Sequence, residues 1–402
     1  MNKYDHTIYL DHAATTAVDP RVVEAMLPYF TEVYGNPSSL HHKGREAADA
    51  LEKARQTVAG ILGCKEREVI FTSGGTESDN LALRGAAFAQ AEQGKKHLIA
   101  SPIEHHAVGH TLEQLAEKFG FEVTYLPVDR YGLVDPDDVE KAIRSDTALV
   151  SVMYANNEVG TIEPIADIAR VTRKHGVLLH TDAVQAGGAL DLNVERLGVD
   201  FMALSAHKFY GPKGVGILYA GRKAKFWPIQ TGGAHEWRRR AGTENIPYIV
   251  GMATALKLAY EGIAEENARL TALRDRLIAG VLERIPEAFL TGHPTQRLPN
   301  SASFVFKYIE GEGILLNLDA LGVCASSGSA CTSASLEPSH VLLAMGVPVE
   351  VAHGSLRLTL GRENTEADVD FVLAHLPEIV QKLREISPLY DPASCPPVKM
   401  VV

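Results

Sequence analysis

The sequence is poor in cysteine, and its four cysteines do not form a recognisable metal or redox pair. They are Cys64, Cys324, Cys331 and Cys395, and no two of them are spaced as C-x-x-C. This spacing argues against a zinc ribbon and against a redox dithiol. A low cysteine content is typical of proteins in a reducing compartment. We therefore expect a cytoplasmic location.

The chain also lacks long apolar runs and an excess of positive charge. No stretch of about 18 apolar residues is present, so no transmembrane helix is expected. Met1 to His12 is polar and lacks the apolar core of a signal peptide. The formal net charge is −11, and phosphate binding needs a basic surface, so nucleic acid is not expected as the main partner.

The pattern of apolar segments predicts an α/β protein with two domains. A chain of 402 residues is too long for one core. Nearly continuous apolar strands, separated by helical patterns, favour a mainly parallel sheet covered on both faces. We expect a large domain over 15–262 and a smaller α+β domain over 1–14 and 263–402. The smaller domain carries a polar loop at about 322–340 and ends in a tail that we expect to be mobile.

Two charged residues at the ends of apolar strands predict a cofactor. Lys208 follows the strand Phe201 to Ser205, and Asp182 ends a strand that begins near Val177. A lysine that loses hydration deprotonates more easily and can form a Schiff base. A Schiff-base lysine and a buried carboxylate that keeps a pyridine nitrogen protonated are the pair that pyridoxal phosphate (PLP) needs. The alternative is two unrelated charges at strand ends.

A glycine-containing segment between a strand and a helix predicts a phosphate site. It reads Ser73-Gly-Gly-Thr-Glu-Ser-Asp-Asn80. Gly75 lets the backbone approach an anion, and the helix start offers free N–H groups and the Thr76 hydroxyl. Ser205 and His207 are further donors. An ordinary capped helix start would have the same composition.

Polar residues that follow other strands are candidates for contacts with the ring. The His105 imidazole could stack on a pyridine ring and take part in proton transfer. Asn157 could donate a hydrogen bond to the phenolic oxygen, although asparagine is also a common turn residue. Gln185 is three residues after Asp182 and could reach the same oxygen.

His106 and His110 are spaced as two metal ligands on a helix would be. No third ligand is evident nearby in the sequence, so structural roles are favoured and no metal site is predicted.

Cys331 lies in a segment that cannot pack a core. The segment Ser326-Ser-Gly-Ser-Ala-Cys-Thr-Ser-Ala-Ser335 is almost entirely small and polar, which is typical of a mobile loop. Structural cysteines usually have apolar neighbours. Cys331 is therefore predicted to be an exposed nucleophile, although it could be an incidental loop cysteine.

Arg357 lies in a strictly alternating segment, Ser355-Leu-Arg-Leu-Thr-Leu360. An arginine on the polar face of such a strand can hold a carboxylate through two parallel hydrogen bonds. The alternative is a surface ion pair.

Together these motifs resemble those of the cysteine desulfurases of the nitrogen-fixation and iron–sulfur-cluster-assembly type. The loop around Cys331, continuing to Leu336-Glu-Pro-Ser-His340, resembles the subgroup with a long catalytic loop. The other matching motifs are Tyr9-Leu-Asp-His-Ala-Ala-Thr-Thr16, Gly35-Asn-Pro-Ser-Ser39, Thr72-Ser-Gly-Gly-Thr-Glu-Ser78, His180-Thr-Asp-Ala-Val-Gln185, Ser205-Ala-His-Lys208 and Arg239-Arg-Ala-Gly-Thr-Glu-Asn245.

The resemblance implies the fold of the aspartate-aminotransferase-like PLP enzymes, a homodimer, and a role for each matching residue. Lys208 would hold PLP, Asp182 its ring nitrogen, and Cys331 would attack the sulfur. The remaining cofactor contacts would be His105, Asn157, Gln185, Gly75, Thr76, Ser205 and His207. Thr243 would reach the phosphate bound by the other subunit, and Asn36 and Arg357 would hold the substrate carboxylate.

The resemblance further implies conversion of L-cysteine to L-alanine, with the sulfur held on Cys331 as a persulfide. The sulfur would pass to an acceptor or iron–sulfur scaffold protein for cluster assembly or other thio-cofactors. Two alternatives remain. One is a different PLP reaction, such as transamination or selenocysteine lysis, and the other is a sulfur-carrier scaffold that no longer cleaves cysteine.

Overall fold

The computed structural model describes residues 7–328 and 337–393. Cys331 and Cys395 therefore lie outside the described residues. The strands of the described part are β1 (Ile8–Tyr9), β2 (Val69–Thr72), β3 (His97–Ala100), β4 (Glu122–Tyr125), β5 (Thr147–Ser151), β6 (Leu178–Asp182), β7 (Phe201–Ser205), β8 (Gly216–Ala220), β9 (Ala288–Leu290), β10 (Ser301–Phe306), β11 (Val323–Cys324) and β12 (Ser355–Thr359).

Helices cover the sheets and connect most of the strands. In the described residues they are α1 (Pro20–Met26), α2 (Pro28–Thr31), α3 (His42–Leu62), α4 (Gly75–Ala91), α5 (His106–Phe119), α6 (Pro136–Ala142), α7 (Ile165–His175), α8 (Val194–Leu197), α9 (His235–Arg238), α10 (Ile246–Glu261), α11 (Ile263–Arg284), α12 (Gly311–Ala320), α13 (His340–Ala344), α14 (Val349–Ala352) and α15 (Glu366–Glu385). Among these helices, none is long and apolar enough to cross a membrane.

The central element is a seven-stranded sheet, and it confirms the α/β prediction. Its strand order is β2-β8-β7-β6-β5-β3-β4. The five neighbouring strands from β7 to β4 pair in parallel, whereas β8 runs antiparallel to both of its neighbours. The parallel strands therefore deliver their carboxyl ends to one edge, where ligands of such sheets bind.

Strand composition explains why this sheet is covered on both faces. Every residue of β5 and of β7 is buried. Successive side chains of a strand point to opposite faces. Accordingly Leu149 packs in the apolar cluster that includes residues of α4 and α5, while Val150 packs in the cluster on the opposite face.

A second, antiparallel sheet has its own apolar core. It has the order β12-β10-β9 and packs with residues of α11, α12 and α15. The N-terminal arm joins this region, because β1 pairs in parallel with β11 and Asp11 bridges to Thr359. The predicted domain boundary at residue 262 falls on Gly262, between α10 and α11. The division into 15–262 and 1–14 plus 263–402 stays a prediction.

Candidate active site

A cavity of about 360 Å³ lies at the carboxyl ends of β6 and β7. This volume is within the range of small-molecule sites in proteins. Ten residues that the sequence singled out line it, and they are Gly75, Thr76, His105, Asn157, Asp182, Gln185, Ser205, His207, Lys208 and Arg357. The fold therefore brings together residues that are as much as 282 positions apart in the chain, counted from Gly75 to Arg357.

Lys208 is held at this edge by the N-terminal arm. The buried strand β7 ends at Ser205, and the single turn Ala206–Lys208 then directs the lysine into the cavity. Its Nζ donates to the carbonyl oxygens of Ala13 (2.6 Å) and Ala14 (2.8 Å). Two backbone carbonyls therefore fix the position of the amine.

Asp182 is the last residue of β6 and is 4% exposed. Its Oδ1 accepts a hydrogen bond from the backbone N–H of Val184 at 2.9 Å. Burial raises the pKa of Asp182, whereas the electrostatic interactions with His105 and Lys208 oppose that shift. A cationic ring nitrogen at this position would stabilise the charged carboxylate in the same way.

The start of α4 forms a backbone cradle of the kind that accepts a phosphate. Gly74 has φ +156°, and a Cβ on Gly75 would lie 2.7 Å from Val184 Cγ2, so a side chain there would need its neighbour to shift. The first N–H groups of this 17-residue helix have no partner within the helix. Ser205 and His207 line the same cavity. This donor set fits the phosphate of PLP.

Two histidines line the site in different ways. His105 caps α5, and its Nδ1 accepts from the N–H of Ala107 at 3.1 Å. His207 Nδ1 lies 3.2 Å from Thr15 Oγ1. Burial, followed by the charge of Lys208, lowers the pKa of His207 to about 4. His207 is therefore neutral at physiological pH and can donate one hydrogen bond without carrying a charge.

Arg357 is buried in the cavity wall and is not in a surface ion pair. It is 3% exposed. Its Nη1 donates to the carbonyl oxygen of Asn157 and its Nη2 to Asp11 Oδ1, both at 2.9 Å. Its Nε is buried without a hydrogen-bond partner within the described residues. A buried guanidinium with an unused donor is equipped to bind an anionic group.

Two predicted site residues among the described ones, Asn36 and Thr243, do not line this cavity. Asn36 and Thr243 are exposed, and Asn36 Oδ1 accepts from the N–H of Ser38 at 2.9 Å. Cys331 lies outside the described residues, but Gly328 lines the cavity. In the sequence, Cys331 follows Gly328 by three positions. The roles given to Asn36, Thr243 and Cys331 stay predictions.

The histidine pair on α5 packs with a third histidine. The rings of His106 and His110 stack with centroids 4.7 Å apart, and His340 lies 4.9 Å from His106. Burial, together with the charges of these neighbours, lowers the pKa of His106. Within residues 7–328 and 337–393, no group of three His, Cys, Asp or Glu residues could hold a metal ion.

Asp79 is a cavity residue that sequence reasoning missed. It lies in the second turn of α4 and is 1% exposed. An acidic residue soon after a helix start is usually explained by the helix dipole alone. Its place in the same cavity as Asp182 depends on how α4 packs on the sheet.

Glu104 links the site to the pH dependence of stability. Its Oε1 accepts two hydrogen bonds, one from Ser101 Oγ at 2.6 Å and one from the backbone N–H of Met153 at 2.8 Å. Burial raises the pKa of Glu104 from 4.5 to about 8. The folded protein therefore binds a proton there that the unfolded chain releases above pH 4.5. The resulting stabilisation is fully present below pH 4.5, declines progressively as the pH rises from 4.5, and is lost once the pH passes 8.

We expect Glu104→Gln to remove this loss. Between pH 5 and 8 the free energy of unfolding of the variant should rise relative to wild type by roughly 1.4 kcal/mol per pH unit. Urea unfolding at several pH values measures the difference, with the exposed Glu117→Gln as a control for removing one carboxyl. A constant difference between Glu104→Gln and wild type across this range would contradict the prediction.

Comparison with known proteins identifies the family. Residues 8–372 match the model of the class-V aminotransferases. The chain is 56% identical to cysteine desulfurase IscS of Methanosarcina thermophila, over 95% of this chain and 94% of that protein. It is 54% identical to cysteine desulfurase IscS of Dictyoglomus turgidum, over 95% and 96% of the two chains.

Solved structures agree with this result. A NifS-like protein superposes with a TM-score of 0.88 at 41% identity, covering 94% of this chain and all of that chain. SspA in complex with cysteine superposes with a TM-score of 0.78 at 36% identity, covering 88% and 99% of the two chains. This chain therefore belongs to the class-V aminotransferases and, within them, to the cysteine desulfurases.

Proposed function

We propose that this protein is a PLP-dependent cysteine desulfurase that converts L-cysteine to L-alanine and passes the sulfur to acceptor proteins. One observation carries the proposal. A single cavity contains an amine, a buried carboxylate, a phosphate cradle and a buried arginine, and its wall includes Gly328, three positions before Cys331 in the sequence. Relatives with more than half of their residues identical are cysteine desulfurases, which supports the same activity.

The described residues of the cavity fit PLP. Asp182 would hold the ring nitrogen, and His105 would lie against the ring face. Asn157 and Gln185 would contact the ring oxygen, and the start of α4 would hold the phosphate with Ser205 and His207. When bound through Lys208, the cofactor supplies a sink for the electron pair released at the substrate Cα.

Lys208 Nζ would accept the proton from the substrate Cα. Its amine is held by the carbonyl oxygens of Ala13 and Ala14, which accept hydrogen bonds and cannot donate. These contacts fix the direction of Nζ when it is protonated. Gln185 Nε2 also donates to Ala13 O at 3.0 Å, so the arm stays in place when the lysine moves.

Cys331 Sγ would then attack the sulfur of the substrate. A bond forms between the two sulfurs, and the substrate Cβ–S bond breaks. Its electron pair stays on the carbon, which is protonated to give alanine. Cysteine and the Cys331 thiol thus yield alanine and a Cys331 persulfide, with no external oxidant or reductant.

The described thiols are poorly suited to this attack. Burial raises the pKa of Cys64 to about 12, and burial also raises the pKa of Cys324. The nucleophile is the thiolate, so both thiols are largely unreactive near neutral pH. Cys331, three positions after the cavity residue Gly328 in the sequence, therefore remains the proposed nucleophile.

The dimer and the sulfur acceptor belong to the same proposal. Thr243 is exposed in the single chain, so it is available to reach the phosphate held by a second copy. Asn36 would join Arg357 at the substrate carboxylate.

A cytoplasmic location fits a protein that carries a persulfide, because thiols stay reduced there. The persulfide would serve an iron–sulfur scaffold or another sulfur acceptor.

Arg357→Lys is expected to weaken substrate binding. A lysine cannot make two parallel hydrogen bonds to a carboxylate, so KM for cysteine should rise about tenfold or more with a smaller change in kcat. Steady-state kinetics measure both values. The matched control is Arg274→Lys, because Arg274 is 5% exposed and bonds the Leu298 carbonyl away from the cavity. A change in kcat alone for Arg357→Lys would contradict the assigned role.

The reaction itself is tested by product analysis. The PLP-loaded protein is incubated with L-cysteine and a thiol reductant, and alanine and sulfide are quantified. Equal amounts of both are expected over many turnovers. A cofactor-loaded protein that instead makes a keto acid would be an aminotransferase. A protein that binds no PLP and releases no alanine would support a sulfur-carrier scaffold.

A further inference from the structure

A second buried polar pair, Asp79 and His180, lies beside Asp182. His180 and Asp182 are two residues apart on β6, so their side chains share one face of the sheet. Helix α4 contacts β6 and carries Asp79. Asp79 is 1% exposed and His180 is fully buried, and Asp79 lines the cofactor cavity.

His180 connects Asp79 to the sheet. Its Nδ1 lies 2.9 Å from Ser151 Oγ, and its Nε2 lies 3.3 Å from Asp79 Oδ1. Both Nε2 and Oδ1 are buried without a hydrogen-bond partner within the described residues, so each atom is the nearest candidate partner of the other. Burial lowers the pKa of His180 to about 3, so the ring is neutral. A neutral imidazole has one N–H and one acceptor nitrogen. The Asp79 contact is attractive only when a proton lies between the two groups.

The surrounding charges determine which carboxyl is ionised. Burial, followed by the negative charge of Asp182, raises the pKa of Asp79 well above its usual value. Neighbouring buried carboxyls rarely ionise together. Asp182 is the best stabilised as an anion, because the Val184 N–H, His105 and Lys208 all favour its charged form.

We propose that Asp79 is a protonated carboxyl that donates to His180 Nε2, and that this pair keeps the negative charge on Asp182. Asp79 and His180 are then positioning residues for the ring end of the cofactor. The inference deepens the proposed function and rests on it, because it takes Asp182 as the partner of the ring nitrogen. A hydrogen bond to the neutral carboxyl favours that form, so His180 contributes to holding the proton.

Infrared spectroscopy of the PLP-loaded protein at pH 7 tests the protonation directly. A protonated carboxyl has a C=O stretching band that a carboxylate lacks. The difference spectrum of wild type against Asp79→Asn should show the loss of one such band. Glu163→Gln is the positive control for such a band, because burial raises the pKa of Glu163 to about 8 and Glu163 is absent from the cavity lining. Loss of a carboxylate band in Asp79→Asn would overturn the proposal.

Cofactor affinity tests the positioning role. The side-chain amide introduced by Asp79→Asn can still donate to His180, whereas the side chain introduced by Asp79→Leu cannot. We expect the PLP dissociation constant to rise at most about threefold in Asp79→Asn and about tenfold or more in Asp79→Leu. Glu163→Gln should leave it unchanged. Equal weakening in both Asp79 variants, or none in either, would overturn the assignment.

These measurements are independent of turnover. Neither uses cysteine, so a protein that shows both results but makes no alanine would refute the proposed reaction and leave the pair's role standing. Thermal unfolding of each variant without cofactor separates a general loss of stability from a loss of cofactor affinity.

Discussion

Lys208→Ala is expected to abolish turnover and the covalent attachment of PLP. The variant lacks the amine that would bind the cofactor and accept the Cα proton, and one substituted residue would therefore affect two steps. Alanine production should fall roughly a thousandfold or more. The visible absorption of the lysine-bound cofactor should also disappear. Product analysis and an absorption spectrum of the purified variant measure these losses.

The variant should nevertheless fold. The substitution removes two hydrogen bonds to the Ala13 and Ala14 carbonyls, which costs on the order of 1–3 kcal/mol. Gln185 Nε2 still donates to Ala13 O. The exposed Lys213 is the matched control, and Lys213→Ala should keep both the spectrum and the activity. Substantial turnover by Lys208→Ala would remove this lysine from the mechanism.

The sheet could be predicted from the sequence because burial on both faces leaves a direct signal. Strands such as β7, Phe201–Ser205, have no polar side to interrupt the apolar run. Asp182 is the last residue of such a strand, and Lys208 ends the short turn that follows one. The local sequence was therefore enough to predict both as site residues. Residues attached to a parallel strand at its carboxyl end are brought together by the topology itself.

Residues placed by the packing of helices and arms on the sheet were harder to predict. Asp79 reaches the cavity from α4, and the Ala13 and Ala14 carbonyls reach Lys208 across 195 and 194 positions of sequence. A backbone carbonyl has no residue-type signal at all. The alternating pattern around Arg357 predicted that its side chain faces away from the leucines. The pattern could not predict that Arg357 is buried against Asp11, because Asp11 belongs to the N-terminal arm.

Cys331→Ala is the second substitution for which we expect a large effect. Cys331→Ala removes the proposed sulfur acceptor and leaves the cofactor cavity of the described residues unchanged. Binding of PLP should therefore persist, while alanine and sulfide production falls about a hundredfold or more. After wild type is exposed to cysteine without reductant, mass spectrometry should find one extra sulfur on the peptide that contains Cys331.

The other cysteines provide matched controls for this variant. Cys324 lies seven positions before Cys331, and burial raises its pKa, so Cys324→Ala should retain activity and the extra sulfur on Cys331. Cys395→Ala is the control for a cysteine of the tail. If Cys331→Ala kept full alanine production, the substrate sulfur would leave without a protein nucleophile, as in a lyase. If the extra sulfur appeared on Cys324, the nucleophile would instead be the cysteine of β11, the strand that pairs with β1.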